Sequence, residues 1–176
     1  VAVTDDFKRD RHWKAEFERR LAYASKIFES ECRVRFRVAA YWSWKPREET
    51  GEMGQLIEDL KGQFPLKDTD VVIGLAQVGP VGDPEKFRDL HTIGIAHPFS
   101  GYFLLRYPEV SLFKVQEETV LIHELGHLFG AVHTDRPDTV MSPLVERQIP
   151  TVFDPDNREI LSLTRTIDFR RGMEAL

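Results

Sequence analysis

The apolar positions of the first half of the chain recur with two different periods. A short apolar start at 1–3 predicts a first strand. Thr4 or Asp5 can then cap a long helix that runs to about Glu29. Apolar residues at spacings of three and four predict its buried face, which would consist of Trp13, Phe17, Leu21, Ala24 and Phe28. The segment 33–42 alternates polar and apolar residues, which predicts a half-buried strand.

A second helix and a buried strand follow in the sequence. Pro46 ends the preceding strand, and Thr50 can cap the helix. The apolar face of this helix would consist of Met53, Leu56, Ile57, Leu60 and Phe64. The run 71–76 is short, continuous and rich in β-branched residues, which is typical of a central strand that is buried on both faces. Strands that alternate with helices in this way favour parallel pairing.

The pattern changes after this strand. Glycines and prolines between 77 and 90 predict a loop. Two short strands are predicted at 92–96 and 102–106, and only five residues join them. A connection of that length suits an antiparallel hairpin and not a crossover. We therefore expect a mixed sheet of about five strands, with one antiparallel strand at an edge.

Two further helices are predicted in the last third of the chain. One extends from about Ser111 through Phe129, and an irregular, proline-containing segment follows it. Asp154 before Pro155 is a capping residue followed by proline at the first helical position, so the last helix begins there. Its anchors would be Ile160, Leu163 and Ile167. The fold class is therefore α+β, with an N-terminal part that resembles an α/β protein.

Composition restricts the function only broadly. The 176 residues are 41% hydrophobic and 30% charged, as in a single globular domain with its own core. The net charge of −5 argues against a nucleic-acid partner, and no apolar run approaches the roughly 20 residues of a membrane span. No basic-then-apolar leader is present at the start, so we expect no signal peptide in it. Cys32 is the only cysteine, which excludes an intrachain disulfide, and we expect a monomer.

One eleven-residue stretch carries the candidate chemistry. His123 and His127 are four residues apart on a predicted helix, so their imidazoles can reach a common point. Glu124 would face beside a metal ion without binding it. Gly130 can adopt a left-handed conformation, which would end the helix and fold His133 back towards the ion. Three imidazoles leave a fourth position for water, which is typical of a catalytic zinc site and not of a structural one.

The length of this motif makes it specific. Two histidines and a glutamate within five residues are a weak signal on their own. Gly130 and His133 at fixed offsets make an accidental match rare. The alternative is a helix with surface histidines, but apolar neighbours predict a largely buried helix: Leu121, Ile122, Leu125, Leu128 and Phe129. Because buried histidines need a polar partner, a metal ion is the better interpretation.

The motif resembles that of the metzincin zinc metallopeptidases, which follow it with a tight turn that holds a methionine beneath the metal. The matching residue is Met141, eight positions after His133. The resemblance implies a zincin-like catalytic domain over residues 1–176, with its upper part at about 1–130 and its lower part at about 131–176. Such a domain has two long helices packed on a twisted sheet, an active-site helix, a Met-turn and a C-terminal helix.

The predicted edge strand resembles the metzincin strand that borders the cleft and pairs with substrate. Gly94 would let another backbone approach closely, and the matching positions are Ile93, Gly94, Ile95 and Ala96. The candidates for the wall of the substrate pocket are Pro143, Leu144 and Val145. Val145 is at a position where matrixin-like enzymes often have tyrosine. The chain is somewhat matrixin-like, but we assign it to no subfamily.

The resemblance implies a zinc-dependent endopeptidase with one catalytic Zn²⁺, peptide or protein substrates, and a secreted or periplasmic location. Glu124 would be the general base that takes a proton from a zinc-activated water and passes it to the departing amine. One alternative is an exopeptidase or a narrow processing peptidase with the same site. The other is a zinc-bearing binding module without turnover, although the intact Glu124 argues against it.

Overall fold

The fold is built on a five-stranded mixed sheet. The computed structural model describes residues 1–47, 52–78, 93–108, 117–143 and 150–175. The strands of the sheet are β1 (Ala2–Thr4), β2 (Trp42–Trp44), β3 (Val72–Val78), β4 (Gly94–His97) and β5 (Tyr102–Pro108). The helices are α1 (Trp13–Cys32), α2 (Met53–Gln63), α3 (Glu117–Leu128) and α4 (Pro155–Thr164), and short 3₁₀ turns lie at Phe7–Arg9 and Gly172–Ala175.

The strand order is β2-β1-β3-β5-β4. Parallel ladders join β1 to β2, β1 to β3 and β3 to β5, whereas β4 pairs antiparallel with β5. The prediction of a mixed sheet with an antiparallel strand at one edge is therefore confirmed. The connection between β4 and β5 is a tight turn, in which the Ser100 N–H donates to the His97 carbonyl over 3.1 Å.

Each face of the sheet has its own core, because successive residues of a strand point to opposite sides. Helices α1 and α3 cover one face, where strand residues such as Val3, Leu75 and Phe103 are buried with Phe17 and Leu125. Helix α2 covers the other face. The buried residues of α2 are Leu56, Ile57 and Leu60, and they pack against Trp44 and Leu104. None of the described helices is both long enough and apolar enough to cross a membrane.

The first helix begins later than predicted. Thr4 is the last residue of β1, and the chain turns through a 3₁₀ segment before α1 starts at Trp13. The predicted start was wrong because a chain that leaves the end of a strand must reverse direction before a helix can pack back onto the sheet. The predicted apolar face is confirmed: Trp13 is half-buried, and the fully buried members are Phe17, Leu21, Ala24 and Phe28.

The predicted strand at 33–42 was also wrong, since only Trp42–Trp44 forms a ladder. The alternation did report burial correctly, because Val34, Phe36 and Val38 pack against the core while the arginines between them are exposed. Ala2 pairs with Trp42, so the residues before Trp42 run past the first residue of β1. An alternating pattern indicates which side chains are buried, and not whether the backbone has a strand to pair with.

The last helix begins where it was predicted, but its buried face differs. Asp154 caps α4 by accepting the Asn157 N–H over 3.1 Å. Leu163 is 75% exposed and is not an anchor, whereas Leu161 is fully buried. The short helix offers several apolar faces, and packing against the rest of the chain selects one of them. The predicted cap Thr50, the helix start near Ser111 and most of the 77–90 loop lie outside the described residues, although Gln77 and Val78 belong to β3.

Gly130 ends α3 in the predicted manner. Its φ is +87°, the Gly130 N–H donates to the His127 carbonyl over 2.9 Å, and the Ala131 N–H donates to the Gly126 carbonyl over 3.1 Å. This pair of hydrogen bonds is the Schellman motif, which favours glycine at the left-handed position. The ring of Phe99 fills the space beside it, because a Cβ built at Gly130 would lie 2.8 Å from Phe99 Cε1. Glycine is therefore required twice, once for its backbone conformation and once for its missing side chain.

Replacing Gly130 with alanine should destabilise the protein by about 2–4 kcal/mol, since the left-handed backbone and the displaced Phe99 ring both carry a penalty. Urea denaturation of the metal-free protein measures the change. Gly54→Ala is the matched control, because nothing lies within 4 Å of a Cβ built at that position in α2. The control should be neutral or stabilising by up to about 1 kcal/mol. Equal stabilities of the two variants would contradict the role of Gly130.

Candidate metal centre

Three histidine side chains converge at the end of α3. His123 and His127 lie one helical turn apart on α3, and His133 lies on the irregular segment that follows Gly130. Their Nε2 atoms form a triangle with sides of 3.0, 3.1 and 3.1 Å. His123 is buried, His127 is half-buried and His133 is exposed, so the group opens to solvent on the side of His133.

Backbone carbonyls orient two of these rings. Nδ1 of His123 lies 2.8 Å from the Val140 carbonyl, and Nδ1 of His127 lies 2.7 Å from the Ala131 carbonyl. A carbonyl can only accept a hydrogen bond, so each Nδ1 carries the hydrogen and the neutral ring has a lone pair at Nε2. Hydrogen bonds of this kind are the usual outer support of metal-binding histidines.

The donor set fits a zinc ion. Two imidazole nitrogen atoms only 3.0 Å apart have lone pairs that repel each other. A cation that binds both lone pairs removes this repulsion. Zinc binds imidazole nitrogen at roughly 2.0–2.1 Å with tetrahedral geometry, which separates two ligand atoms by roughly 3.3 Å. The observed separations of 3.0–3.1 Å are close to this value. His123, His127 and His133 are therefore the group among the described residues that could hold the metal.

Glu124 directly follows His123 on α3 and is buried. It is 3% exposed, and its Oε2 atom has no hydrogen-bond partner among the described residues. Burial raises the pKa of Glu124 well above the ordinary value for a glutamate. An unpaired buried carboxylate is costly, and such a group next to candidate metal ligands is typical of a functional site.

Gly94 of β4 makes room for this carboxyl group. A Cβ built at Gly94 would lie 2.7 Å from both Cγ and Cδ of Glu124. From the sequence, we expected the missing side chain of Gly94 to let another backbone approach closely. In the structure, the Glu124 side chain fills the space where the Cβ of residue 94 would be. A peptide backbone that pairs with β4 would approach the edge of the strand instead.

The outer side of β4 presents backbone groups. The Ile93 carbonyl accepts the Arg106 N–H over 2.7 Å. Since alternate residues of an antiparallel strand face its partner, Gly94 and Ala96 direct their N–H and C=O groups away from β5. Ile93 is buried, whereas Ile95 and Ala96 are half-buried. This side is the outer edge of the described sheet.

Met141 lies in a turn beneath α3. It is fully buried in the turn 139–142, in which the Ser142 N–H donates to the Thr139 carbonyl over 3.2 Å. Its sulfur lies 3.1 Å from a Cβ built at Gly126, so the side chain packs directly under the helix. Pro143 follows the turn and is half-buried, whereas Leu144 and Val145 lie outside the described residues.

Two contacts at the site were not predicted from the sequence. The ring of Phe99 packs against Gly130, and Asn157 of α4 binds the backbone of Val132 through two hydrogen bonds of 2.8 and 3.0 Å. The sequence indicated only that Asp154 begins a helix. Asn157 and Val132 are 25 residues apart, and no local pattern reveals a contact over that distance.

Comparisons with known proteins identify a family and a fold that this chain shares. The sequence model of one protein family, the reprolysin-like metallo-peptidases of family M12B, matches residues 64–168. The crystal structure of metalloproteinase-II from Bacteroides fragilis superimposes with a TM-score of 0.58 at 13% identity and covers 92% of this chain and 50% of that one. A chain in the structure of a chaperone–substrate complex has a TM-score of 0.61 at 12% identity and covers 96% of this chain and 34% of that one. No curated protein matches the chain significantly in sequence.

The chain thus spans half the length or less of these two solved chains. At such identities, the superpositions concern the fold alone, and they confirm the predicted zincin-like α+β architecture. The family model covers more than half of the chain and includes all three histidines and Glu124. This chain belongs to the reprolysin-like metallo-peptidases of family M12B.

Proposed function

We propose that this protein is a zinc-dependent endopeptidase in which Glu124 is the general base. The observation that carries the proposal is the convergence of the Nε2 atoms of His123, His127 and His133 within 3.1 Å of one another. The carboxyl group of Glu124, which directly follows His123 on α3, is buried, and its Oε2 atom lacks a hydrogen-bond partner among the described residues. Membership of a metallopeptidase family supports peptide-bond hydrolysis as the reaction class.

Glu124 moves the proton in the proposed reaction. When bound, zinc supplies Lewis-acid activation of a water molecule and of the scissile carbonyl. Glu124 takes a proton from the attacking water and returns it to the departing amine. Because burial raises the pKa of Glu124, its carboxylate is a stronger base than an exposed glutamate.

Cys32 is buried and burial raises the pKa of its thiol, so it is a poor nucleophile.

Met141 is proposed to support the site from below. Its side chain packs under Gly126, between the two histidines of α3, and its carbonyl accepts the Thr134 N–H over 3.2 Å. The turn therefore contacts both the helix with two ligands and the segment with the third. A rigid floor of this kind keeps the imidazoles in place while substrate enters and leaves.

The outer edge of β4 is the proposed substrate-binding surface. The backbone groups of Gly94 and Ala96, which face away from β5, can pair with an extended peptide, and Ile93 and Ile95 lie beside them. Main-chain pairing is independent of the substrate sequence and admits a peptide that continues in both directions, which favours internal cleavage. The proposed wall of the side-chain pocket consists of Pro143, Leu144 and Val145.

Glu124→Gln should retain zinc and reduce kcat by at least about 100-fold, because the amide keeps the shape of the side chain but cannot accept the proton. Elemental analysis of the purified variant and a casein digest, each with and without a chelator, measure the two properties. His133→Ala is the matched variant, and it should lose zinc affinity as well as activity. Full activity of Glu124→Gln would exclude the general-base assignment.

Gly94→Ala should lower kcat by about 10- to 100-fold while zinc content is unchanged, because the added methyl group displaces the Glu124 carboxyl from its place. Steady-state kinetics on one quenched peptide measures this effect. Gly54→Ala, in open space on α2, is the control and should retain wild-type kinetics. Unchanged kcat in Gly94→Ala would show that the contact with Gly94 does not position the base.

Peptides blocked at both termini distinguish an endopeptidase from an exopeptidase. An endopeptidase cleaves an acetylated and amidated peptide at an internal bond, whereas an exopeptidase requires a free end. We expect internal cleavage of such peptides and of unfolded casein. Cleavage only at free termini would favour the exopeptidase, and zinc binding without cleavage of any of these substrates would indicate a binding module.

A further inference from the structure

We infer that Asp154 and Asn157, at the start of α4, position the third histidine and thereby set the affinity of the centre for zinc. The inference rests on the zinc site of the proposed function but not on its turnover. From the sequence, Asp154 was predicted only to cap a helix, and Asn157 was given no role. In the structure, both are buried. Asn157 binds the segment that carries His133, and Asp154 binds the side chain of Asn157.

His133 depends on its neighbours for its place. It is exposed and lies outside any helix or strand, unlike His123 and His127. On one side, the Val132 N–H donates to Asn157 Oδ1 over 2.8 Å, and the Val132 carbonyl accepts from Asn157 Nδ2 over 3.0 Å. On the other side, the Thr134 N–H donates to the Met141 carbonyl. The backbone is thus held immediately before and immediately after the ligand.

Asp154 locks the orientation of the Asn157 amide. Its Oδ2 accepts the second Nδ2 hydrogen of Asn157 over 2.7 Å, and its Oδ1 accepts the Asn157 backbone N–H over 3.1 Å. A flipped amide would direct its oxygen at this carboxylate and its NH₂ group at the Val132 N–H. Only one orientation of the amide therefore satisfies both Asp154 and Val132.

The same carboxylate also reaches the turn beneath α3. The Thr139 hydroxyl donates to Asp154 Oδ2 over 3.3 Å and accepts the Met141 N–H over 3.1 Å. Burial raises the pKa of Asp154, but the hydrogen bonds from Asn157 and Thr139 outweigh it and hold the pKa below the ordinary value. Asp154 therefore joins three segments of the chain that all meet at the site.

This network has a direct consequence for metal affinity. A ligand on an irregular segment binds the ion only from the conformations that place it correctly, and the apparent dissociation constant rises as their population falls. The two hydrogen bonds to Val132 favour those conformations before the metal arrives. Loss of such outer-shell partners in metal sites costs about 10- to 100-fold in affinity.

Asn157→Ala tests the inference. Its dissociation constant for zinc, measured by competition with a chelator of known affinity, should rise by about 10- to 100-fold relative to the wild type. Leu161→Ala is the matched control, because Leu161 is fully buried on the same helix but takes no part in the network. It should lower the urea midpoint of the metal-free protein and yet leave the dissociation constant within about twofold of the wild type. A general loosening of α4 would affect both variants alike.

Asp154→Asn provides a second, milder variant should Asn157→Ala fold poorly. Asparagine is as good a helix cap as aspartate, so α4 should persist, while the amide of Asn157 loses the acceptor that orients it. Its zinc affinity should fall, but by less than that of Asn157→Ala.

Three results would overturn the inference. Wild-type affinity in Asn157→Ala and Asp154→Asn, or an equal loss in Leu161→Ala, would show that the network is structural only, and would leave the proposed peptidase unaffected. A wild-type protein that binds no zinc would overturn both proposals together.

Discussion

The reversal of the backbone at Gly130 is the constraint on which the rest of the site depends. A helix that continued past Leu128 would carry His133 away from His123 and His127, because each further residue rises about 1.5 Å along the axis. The left-handed residue directs the chain back, and the Schellman hydrogen bonds satisfy the carbonyls at the end of the helix. The Phe99 ring fills the space that a side chain would take, so the hairpin of β4 and β5 is coupled to this turn.

Burial around α3 sets the environment of Glu124. Leu121, Ile122, Leu125 and Leu128 are fully buried, and they fix the helix between the sheet and its neighbours. Glu124 is carried into the same interior, where its charged form is disfavoured and its pKa rises. The stability of the two cores offsets the cost of burying this carboxyl group. A carboxyl group on the surface would be cheaper to fold and a weaker base.

The site is assembled from segments that are distant in the sequence. Strand β4 contributes Gly94 against the Glu124 carboxyl group, and the turn at 139–142 contributes Met141 beneath the helix. Helix α4 contributes Asn157, which binds the backbone next to His133. Each of them contacts α3 or the segment that follows it. The division into an upper and a lower part, which the family resemblance suggested, remains an expectation. The contacts of Asp154 and Asn157 nevertheless show how the C-terminal helix takes part in the same centre.

The sequence by itself determined the local features. The spacing of His123 and His127, the turn at Gly130, the cap at Asp154 and the apolar stripe of α1 depend on residues a few positions apart, where helical geometry and glycine stereochemistry act directly. The antiparallel hairpin was predictable for the same reason, because its connection is short. Only the tertiary structure decided whether residues 33–41 had a strand to pair with, which face of α4 was buried, what filled the space at Gly94, and which residue held Val132. Those outcomes depend on how distant segments pack, and burial and hydrogen-bond satisfaction across the whole chain, not local preference, select them.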